Sequence, residues 1–165
     1  MHQEIERKFL VIGDYKSLAS GHSHMSQGYI SSSHGRTVRV RIVGELGYLT
    51  IKGPTGKSGL GRMEWEREIP LADAQALMSL CETPPLRKTR WFVPRGKHIF
   101  EVDEFHGLNE GLLIAEVELT HEEEEYEIPP FLGSEVTGDR RYYNSFLTHH
   151  PYHTWATTST ERANK

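Results

Sequence analysis

The sequence contains a single cysteine, Cys81, and no long apolar run. One cysteine excludes an intramolecular disulfide and a cysteine-based zinc cluster, which fits a reducing compartment. No apolar segment approaches the roughly 18 residues that a membrane-spanning helix needs. The first residues, MHQEIERK, are charged and lack the apolar segment of a signal peptide. We therefore predict a cytoplasmic protein without a membrane partner.

The sequence also lacks an excess of basic over acidic residues. The 19 Lys and Arg residues are outnumbered by 23 Asp and Glu residues, which gives a formal net charge of −4. This balance gives no reason to expect a nucleic-acid partner, so any anion binding must come from local clusters of basic residues. The ten histidines form no HExxH motif, and we predict that they lie at the surface.

A chain of 165 residues is long enough for one domain with a substantial core. We predict a single domain over residues 1–148. Residues from His149 onward show no periodic pattern and are predicted to form a flexible C-terminal tail.

Alternation of apolar and polar residues with a period of two predicts eight β-strands. The clearest is TVRVRIV, where Val38, Val40 and Ile42 lie opposite Arg39 and Arg41. The predicted strands span residues 1–12, 26–32, 37–43, 48–52, 62–69, 86–94, 98–105 and 112–120.

Two segments break this period. Leu71–Cys81 has the apolar spacing of an amphipathic helix and lies between Pro70 and the pair Pro84–Pro85. A short second helix is predicted at the end of residues 135–147. Residues 13–25 and the glycine-rich residues 53–61 are predicted to be loops.

The second face of most predicted strands is ionic. Its acidic members are Glu4, Glu6, Glu64, Glu66, Asp103, Glu116 and Glu118; its basic members are Lys8, Arg39, Arg41, Lys52, Lys88 and Arg90, with Arg140 as a further base near the C-terminus. A flat antiparallel sheet with one solvated face would also give such a pattern. Solvated faces usually mix both signs, however, whereas TVRVRIV is wholly basic and AEVEL wholly acidic. The segregation favours an α+β protein, mainly antiparallel β: an eight-stranded closed β-barrel, a tunnel, with an ionic interior and helices packed outside.

The residue types on this face point to phosphoryl chemistry. Arginine and lysine in numbers imply a polyanion, because the arginine fork fits phosphate oxygens. Carboxylates that are not needed for pairing suit a hard cation such as Mg²⁺ or Mn²⁺. Glu4 and Glu6 lie about 7 Å apart on one strand face and can share such an ion, with Lys8 beside them to hold the bound anion. Bases, acids and a metal in one cavity are typical of phosphoryl transfer.

The motifs resemble the CYTH superfamily, the triphosphate tunnel metalloenzymes, and most closely its small bacterial members, the inorganic triphosphatases. The resemblance begins with the ExExK signature at Glu4–Lys8 and extends to about residue 147. It includes TVRVR, TIKG, the R-x-E-x-E of Arg62–Glu66, KTR, FEVDEF, AEVEL and VTGDRRYYN. All of these in one order make a specific match.

The resemblance implies an eight-stranded tunnel open at both ends, with residues 53–61 as a flexible loop at one mouth. It implies catalytic roles for Glu4, Glu6 and Lys8. The phosphate-binding residues would be Lys8, Arg39, Arg41, Lys52, Lys88, Arg90 and Arg140, although Arg90 could instead pair with an acid in the wall. The metal ligands, for Mg²⁺ or Mn²⁺, would be Glu4, Glu6, Asp103, Glu116 and Glu118. Glu64 and Glu66 would be either metal ligands or ion-pair partners of the basic residues.

Metal-dependent hydrolysis of inorganic tripolyphosphate is the function that this resemblance implies. The same tunnel serves other members as a class IV adenylyl cyclase or as a thiamine or nucleoside triphosphatase, so these remain alternatives. A non-catalytic polyphosphate-binding module would keep the bases but lose the acids. The predicted partner is a small polyanionic substrate. We also consider that the protein forms a homodimer.

Overall fold

The computed structural model of the protein describes residues 1–155. The strands are β1 (His2–Val11), β2 (Gly21–Ser33), β3 (Arg36–Val43), β4 (Leu46–Lys52), β5 (Gly61–Ile69), β6 (Leu86–Arg95), β7 (His98–Phe105), β8 (Leu113–Leu119) and β9 (Leu132–Glu135). The α-helices with defined bounds are α1 (Leu71–Met78) and α2 (Asn144–His149), and 3₁₀ turns lie at Lys16–Leu18, Gly107–Asn109 and Arg140–Tyr142.

Eight strands close into an antiparallel barrel, as predicted. The order is β5-β4-β3-β2-β6-β7-β8-β1, and pairing of β1 with β5 joins the two ends. The N-terminal half of β1 pairs with β5, while its C-terminal half pairs with the additional strand β9. Closure fixes the inward side chains of all eight strands around one interior.

The strands differ most from the sequence prediction in two places. Strand β2 begins at Gly21 rather than at residue 26, because GHSHM is polar and gave no alternating pattern. Strand β9 (LGSE) is short and contains glycine and serine, so it carries no strand signal of its own. Helix α1 begins directly after Pro70 as predicted, but ends at Met78.

The main hydrophobic core lies on the outside of the barrel. Phe9, Phe100 and Val117 point outward from β1, β7 and β8, and the segments around Tyr15 and Phe131 cover them. Helix α1 covers another part of the outer surface, against β2, β3 and β4. The apolar strand faces are therefore buried by loops and helices, and the ionic faces point inward, as predicted.

A second cluster closes part of one barrel end. Leu86, Phe105 and Ile114 continue the inward faces of their strands beyond the ionic side chains, and Leu147 of α2 packs against them. Tyr152 and Trp155 also pack against this cluster, and residues 152–155 are helical. The fold thus continues past the predicted boundary at residue 148; the remainder of the predicted tail, 156–165, lies outside the described residues. Within residues 1–155, none of the helices combines the length and apolar character of a membrane span.

Candidate active site

The barrel encloses a cavity of about 190 Å³ whose lining is mainly polar. Seven carboxylates and seven cations face it: Glu4, Glu6, Glu64, Glu66, Glu101, Glu116 and Glu118, with Lys8, Arg39, Arg41, Lys52, Arg62, Lys88 and Arg90. Formal charge in the cavity is thus balanced. Twelve of these residues are the ionic residues that strand alternation predicts.

One wall is built by β1 and β8. Their antiparallel register places Glu6 opposite Glu118 and Lys8 opposite Glu116. The Lys8 Nζ lies 3.5 Å from Glu116 Oε1 and 3.8 Å from Glu6 Oε1. Burial would lower the pKa of Lys8, but the carboxylates of Glu116 and Glu6 outweigh it and raise this pKa. Lys8 is therefore held as a cation between two acids.

Among the carboxylates of this wall, Glu6 is the one whose ionised form is most disfavoured by its surroundings. Burial, and then repulsion from Glu116 and Glu4, raises the pKa of Glu6 to about 8. A carboxyl group in this position takes up a proton at neutral pH unless a cation offsets the crowding.

The neighbouring wall is formed by β4 and β5 and meets β1. Lys52 donates to both oxygens of Glu4 at 2.9 Å, and its Nζ lies 3.3 Å from Glu64. Glu66 occupies the next inward position of β5. It accepts hydrogen bonds from Thr50 at 2.6 Å and from Arg39 at 3.3 Å. Glu64 and Glu66 are therefore ion-pair partners of basic residues in this structure.

On the opposite side of the barrel, β6 and β7 form a tight ionic cluster. Lys88 donates to Asp103 at 2.7 Å, and Arg90 contacts both Asp103 oxygens at 2.8 and 3.0 Å. Arg90 also donates to Glu101 at 2.7 Å. Burial alone would raise the pKa of Asp103, but Arg90 and Lys88 overcome it and hold this pKa well below its usual range. Asp103 is bound within the wall and is not among the residues facing the cavity, which favours a structural role over metal ligation.

Two cations in this region have lowered pKa values. Burial, together with repulsion from Arg39 and Arg90, lowers the pKa of Arg41 to about 9. Its one hydrogen bond among the described residues is the 3.0 Å contact from Nε to Gln27. The pKa of Lys88 falls to about 7 because of burial, with added repulsion from Arg90 and Arg41, despite the attraction of Asp103. A bound anion would stabilise the charged form of both groups.

The segment before and within α2 closes one side of the cavity. Asn144 Oδ1 accepts from Lys88 at 2.7 Å and from Gln27 at 3.1 Å. The Tyr143 ring lies over Lys8 Nζ at 4.9 Å and over the Arg62 guanidinium at 5.6 Å. Nothing in the local sequence predicts that this segment reaches the barrel interior.

Several lining residues were missed by the sequence prediction. Arg62 shares a strand face with Glu64 and Glu66, and Glu101 shares one with Asp103. The alternation of side chains along these strands therefore would have predicted that both point into the barrel. The predicted residue Arg140 is exposed and lies outside the central cavity, at one mouth of the tunnel. Glu118 faces the cavity at the other mouth, with 54% of its side chain exposed and a 2.9 Å contact to His2.

The carboxylates of the β1–β8 wall have the chemistry of a divalent-metal site. They offer only oxygen donors, which suit Mg²⁺ or Mn²⁺. Their crowding is shown by the raised pKa of Glu6. Within the described part of the chain, no three acidic, histidine or cysteine side chains already converge as ligands. These residues fit a metal by donor type, and their side chains would have to draw together around it.

Comparison with known proteins agrees with this architecture. The CYTH domain family model matches residues 2–143. A curated inorganic triphosphatase of Acetivibrio thermocellus is 47% identical over 154 residues, 92% of this chain and 97% of the relative. An inorganic triphosphatase of Nitrosomonas europaea is 34% identical over 152 residues, 87% and 95% of the two chains. The crystal structure of the inorganic triphosphatase NE1496 superimposes with a TM-score of 0.62 at 30% identity, covering 88% of this chain and 97% of that one.

The match therefore spans the whole barrel, including the ExExK strand β1, and both curated relatives are covered almost completely. The chain belongs to the CYTH domain family.

Proposed function

We propose that the protein is a metal-dependent triphosphatase that hydrolyses inorganic triphosphate to phosphate and pyrophosphate inside the barrel. The observation that carries the proposal is the set of unsatisfied cationic donors facing the cavity. Arg41 has no carboxylate within 4.0 Å among the described residues, and Arg39 Nε is buried without a hydrogen-bond partner. Buried donors of this kind are costly unless a ligand accepts from them. The names of the two curated relatives support triphosphate as that ligand.

The basic residues would position the substrate. Arg39, Arg41, Lys52, Lys88 and Lys8 surround one cavity and can neutralise oxygens along a linear triphosphate. Arg90 already donates hydrogen bonds to Asp103 and Glu101. It therefore adds positive charge to the wall but has few donors free for the substrate.

The acidic residues would supply the other half of the chemistry. Glu4, Glu6, Glu116 and Glu118 are the candidate metal ligands, and Mg²⁺ or Mn²⁺ bound there would offset charge on phosphate oxygens and lower the pKa of water. One carboxylate of the Glu4–Glu6 pair would orient a water molecule and accept its proton. The water oxygen then bonds to the terminal phosphorus while the bond from that phosphorus to the bridging oxygen breaks. Pyrophosphate leaves with the electron pair.

A substrate panel tests the proposal. Tripolyphosphate, ATP, thiamine triphosphate and longer polyphosphates are each offered with Mg²⁺ or Mn²⁺, and the release of phosphate and of cyclic AMP is measured. We expect release from tripolyphosphate to be hundreds of times faster than from ATP. Preference for a nucleotide, or formation of cyclic AMP, would contradict it. Binding without hydrolysis would instead indicate a polyphosphate-binding module.

Two further expectations accompany this function. A cytoplasmic location would suit an enzyme with a single cysteine, Cys81, and a small-molecule substrate. A homodimer remains a prediction that light scattering on the purified protein would test. Neither a nucleic-acid nor a membrane partner is proposed.

A further inference from the structure

The two mouths of the tunnel carry opposite charge. One mouth, here called the basic mouth, is lined within residues 1–155 by Lys57, Arg62 and Arg140 and by no carboxylate. The other, the acidic mouth, is lined by four carboxylates, Glu101, Glu118, Glu124 and Glu125, against Lys97 and His98.

The mouths lie at opposite ends of the barrel. Ser33, at the end of β2, lines the basic mouth. Phe92, which lines the acidic mouth, pairs with Gly21 at the start of β2. The ends of an extended strand of this length lie about 40 Å apart, and the tilt of the strand reduces their separation along the barrel axis. The tunnel is therefore polarised along its axis.

The outer cations of the basic mouth are uncompensated. Among the described residues neither Lys57 nor Arg140 has a carboxylate within 4.0 Å, and both side chains are exposed. Some surface cations elsewhere are paired, as Arg7 is with Glu135 and Lys16 with Glu104. Unpaired cations at a concave opening attract an anion from solution most strongly.

A continuous path leads from this mouth to the phosphate-binding residues. Tyr143 lines both the basic mouth and the central cavity, and its ring lies over Lys8. Its hydroxyl is 3.4 Å from Thr55 Oγ1 in the glycine-rich loop. Gly59 of that loop meets Gly138 across the mouth, so closely that a Cβ at Gly59 would lie 3.5 Å from the Gly138 Cα. The loop and Tyr143 thus frame one passage.

We propose that triphosphate enters the tunnel through the basic mouth, where Lys57 and Arg140 capture it before it passes Tyr143, and that the acidic mouth repels it. This inference rests on the proposed function, because it assumes a triphosphate substrate. It gives the exposed Arg140 a role in capture rather than in holding the substrate inside the barrel. Charge at an opening acts on the association rate and is screened by salt.

The test measures association directly. Stopped-flow measurement of the protein's intrinsic fluorescence on mixing with a non-hydrolysable imido analogue of triphosphate and Mg²⁺ gives the association rate constant, as the slope of the observed rate against analogue concentration, without requiring turnover. We expect the double variant Lys57→Ala, Arg140→Ala to lower this constant about tenfold at low ionic strength. The difference should shrink at 0.5 M salt.

A matched control lies at the other mouth. Lys97 is exposed, like Lys57, so Lys97→Ala removes the same charge from the acidic mouth. We expect Lys57→Ala to slow association about threefold and Lys97→Ala by less than 1.5-fold.

Equal effects of Lys57→Ala and Lys97→Ala would overturn the proposal, since net charge and not position would then matter. A larger effect of Lys97→Ala than of Lys57→Ala would also overturn it, because the substrate would then use the acidic mouth. The outcome is separable from the proposed function. A wild-type protein that binds tripolyphosphate but does not hydrolyse it refutes the function, while the rate constants still decide the route.

Discussion

At the scale of single residues, Asp103 shows how a carboxylate can lie on the ionic face of the barrel and still have a structural role. Its side chain is 1% exposed and accepts from both Lys88 and Arg90. Removing one member of a buried ionic cluster leaves uncompensated charge in a medium of low dielectric constant. Asp103 should therefore matter more for stability than for metal binding.

We predict that Asp103→Asn lowers the free energy of unfolding by about 3–5 kcal/mol, because Lys88 and Arg90 lose their shared counter-charge. Urea denaturation measures this change. The control is Glu45→Gln, in the exposed turn between β3 and β4, which should change stability by less than about 0.5 kcal/mol. Unchanged stability together with a changed metal requirement would instead identify Asp103 as a ligand.

The same residue marks the limit of sequence reasoning. Glu101 and Asp103 are two residues apart in β7 and therefore lie on one strand face. Which of them reaches the cavity depends on strand register and on side-chain length. Asp103 lies directly opposite Arg90 and its short side chain stays in the wall, whereas Glu101 extends to the cavity. Periodicity does not contain the register, so the metal-ligand assignment of Asp103 could not be refined from sequence.

At the scale of elements, the packing of α1 on the barrel depends on a close approach at Gly47. A Cβ at Gly47 would lie 2.6 Å from the Cβ of Ala74 and 3.1 Å from the carbonyl oxygen of Ile69. Ala74 is fully buried in this contact. Strand β4 and helix α1 can approach this closely because neither residue carries a larger side chain.

We predict that Gly47→Ala destabilises the protein by about 1–3 kcal/mol, because α1 must move away from β4. Gly21→Ala is the matched control, since Gly21 is also in a strand but a Cβ there would have no neighbour within 4 Å in the described part of the chain. The control should leave stability unchanged or raise it by up to about 1 kcal/mol. Thermal unfolding of both variants measures the difference, and equal melting temperatures would refute the close-contact argument.

Elements with strong patterns were predictable, and those held by their context were not. The barrel strands alternate and α1 has a helical period, so their types follow from side-chain periodicity. Strand β9 forms because β1 offers it an edge, with Phe9 paired to Glu135 and Val11 to Leu132. The segment 152–155 is held by packing of Tyr152 and Trp155 on the second apolar cluster, which becomes apparent only once the barrel is closed.

At the scale of the whole molecule, carboxylates and cations line the central cavity in equal numbers among residues 1–155. Seven carboxylates face seven cations in the central cavity. Inorganic triphosphate is a highly charged anion, so binding it alone would leave the interior strongly negative. A divalent cation alone would leave Lys8 and its neighbours facing added positive charge. Each ligand removes the electrostatic penalty of the other, which makes their binding cooperative.

We predict that Mg²⁺ and a non-hydrolysable imido analogue of triphosphate together raise the melting temperature by more than the sum of their separate effects. At a hundredfold excess over Kd, each ligand on its own would add about 2.7 kcal/mol of stability, and coupling adds to this by tightening both. Glu6→Gln removes a metal-side charge and should reduce the coupling, whereas Glu123→Gln, an exposed change, should leave it intact. Thermal shift measurements over a grid of both concentrations give the coupling free energy. Strictly additive shifts would show that cation and anion bind independently. That result would contradict the prediction that each ligand offsets the charge of the other in the same cavity.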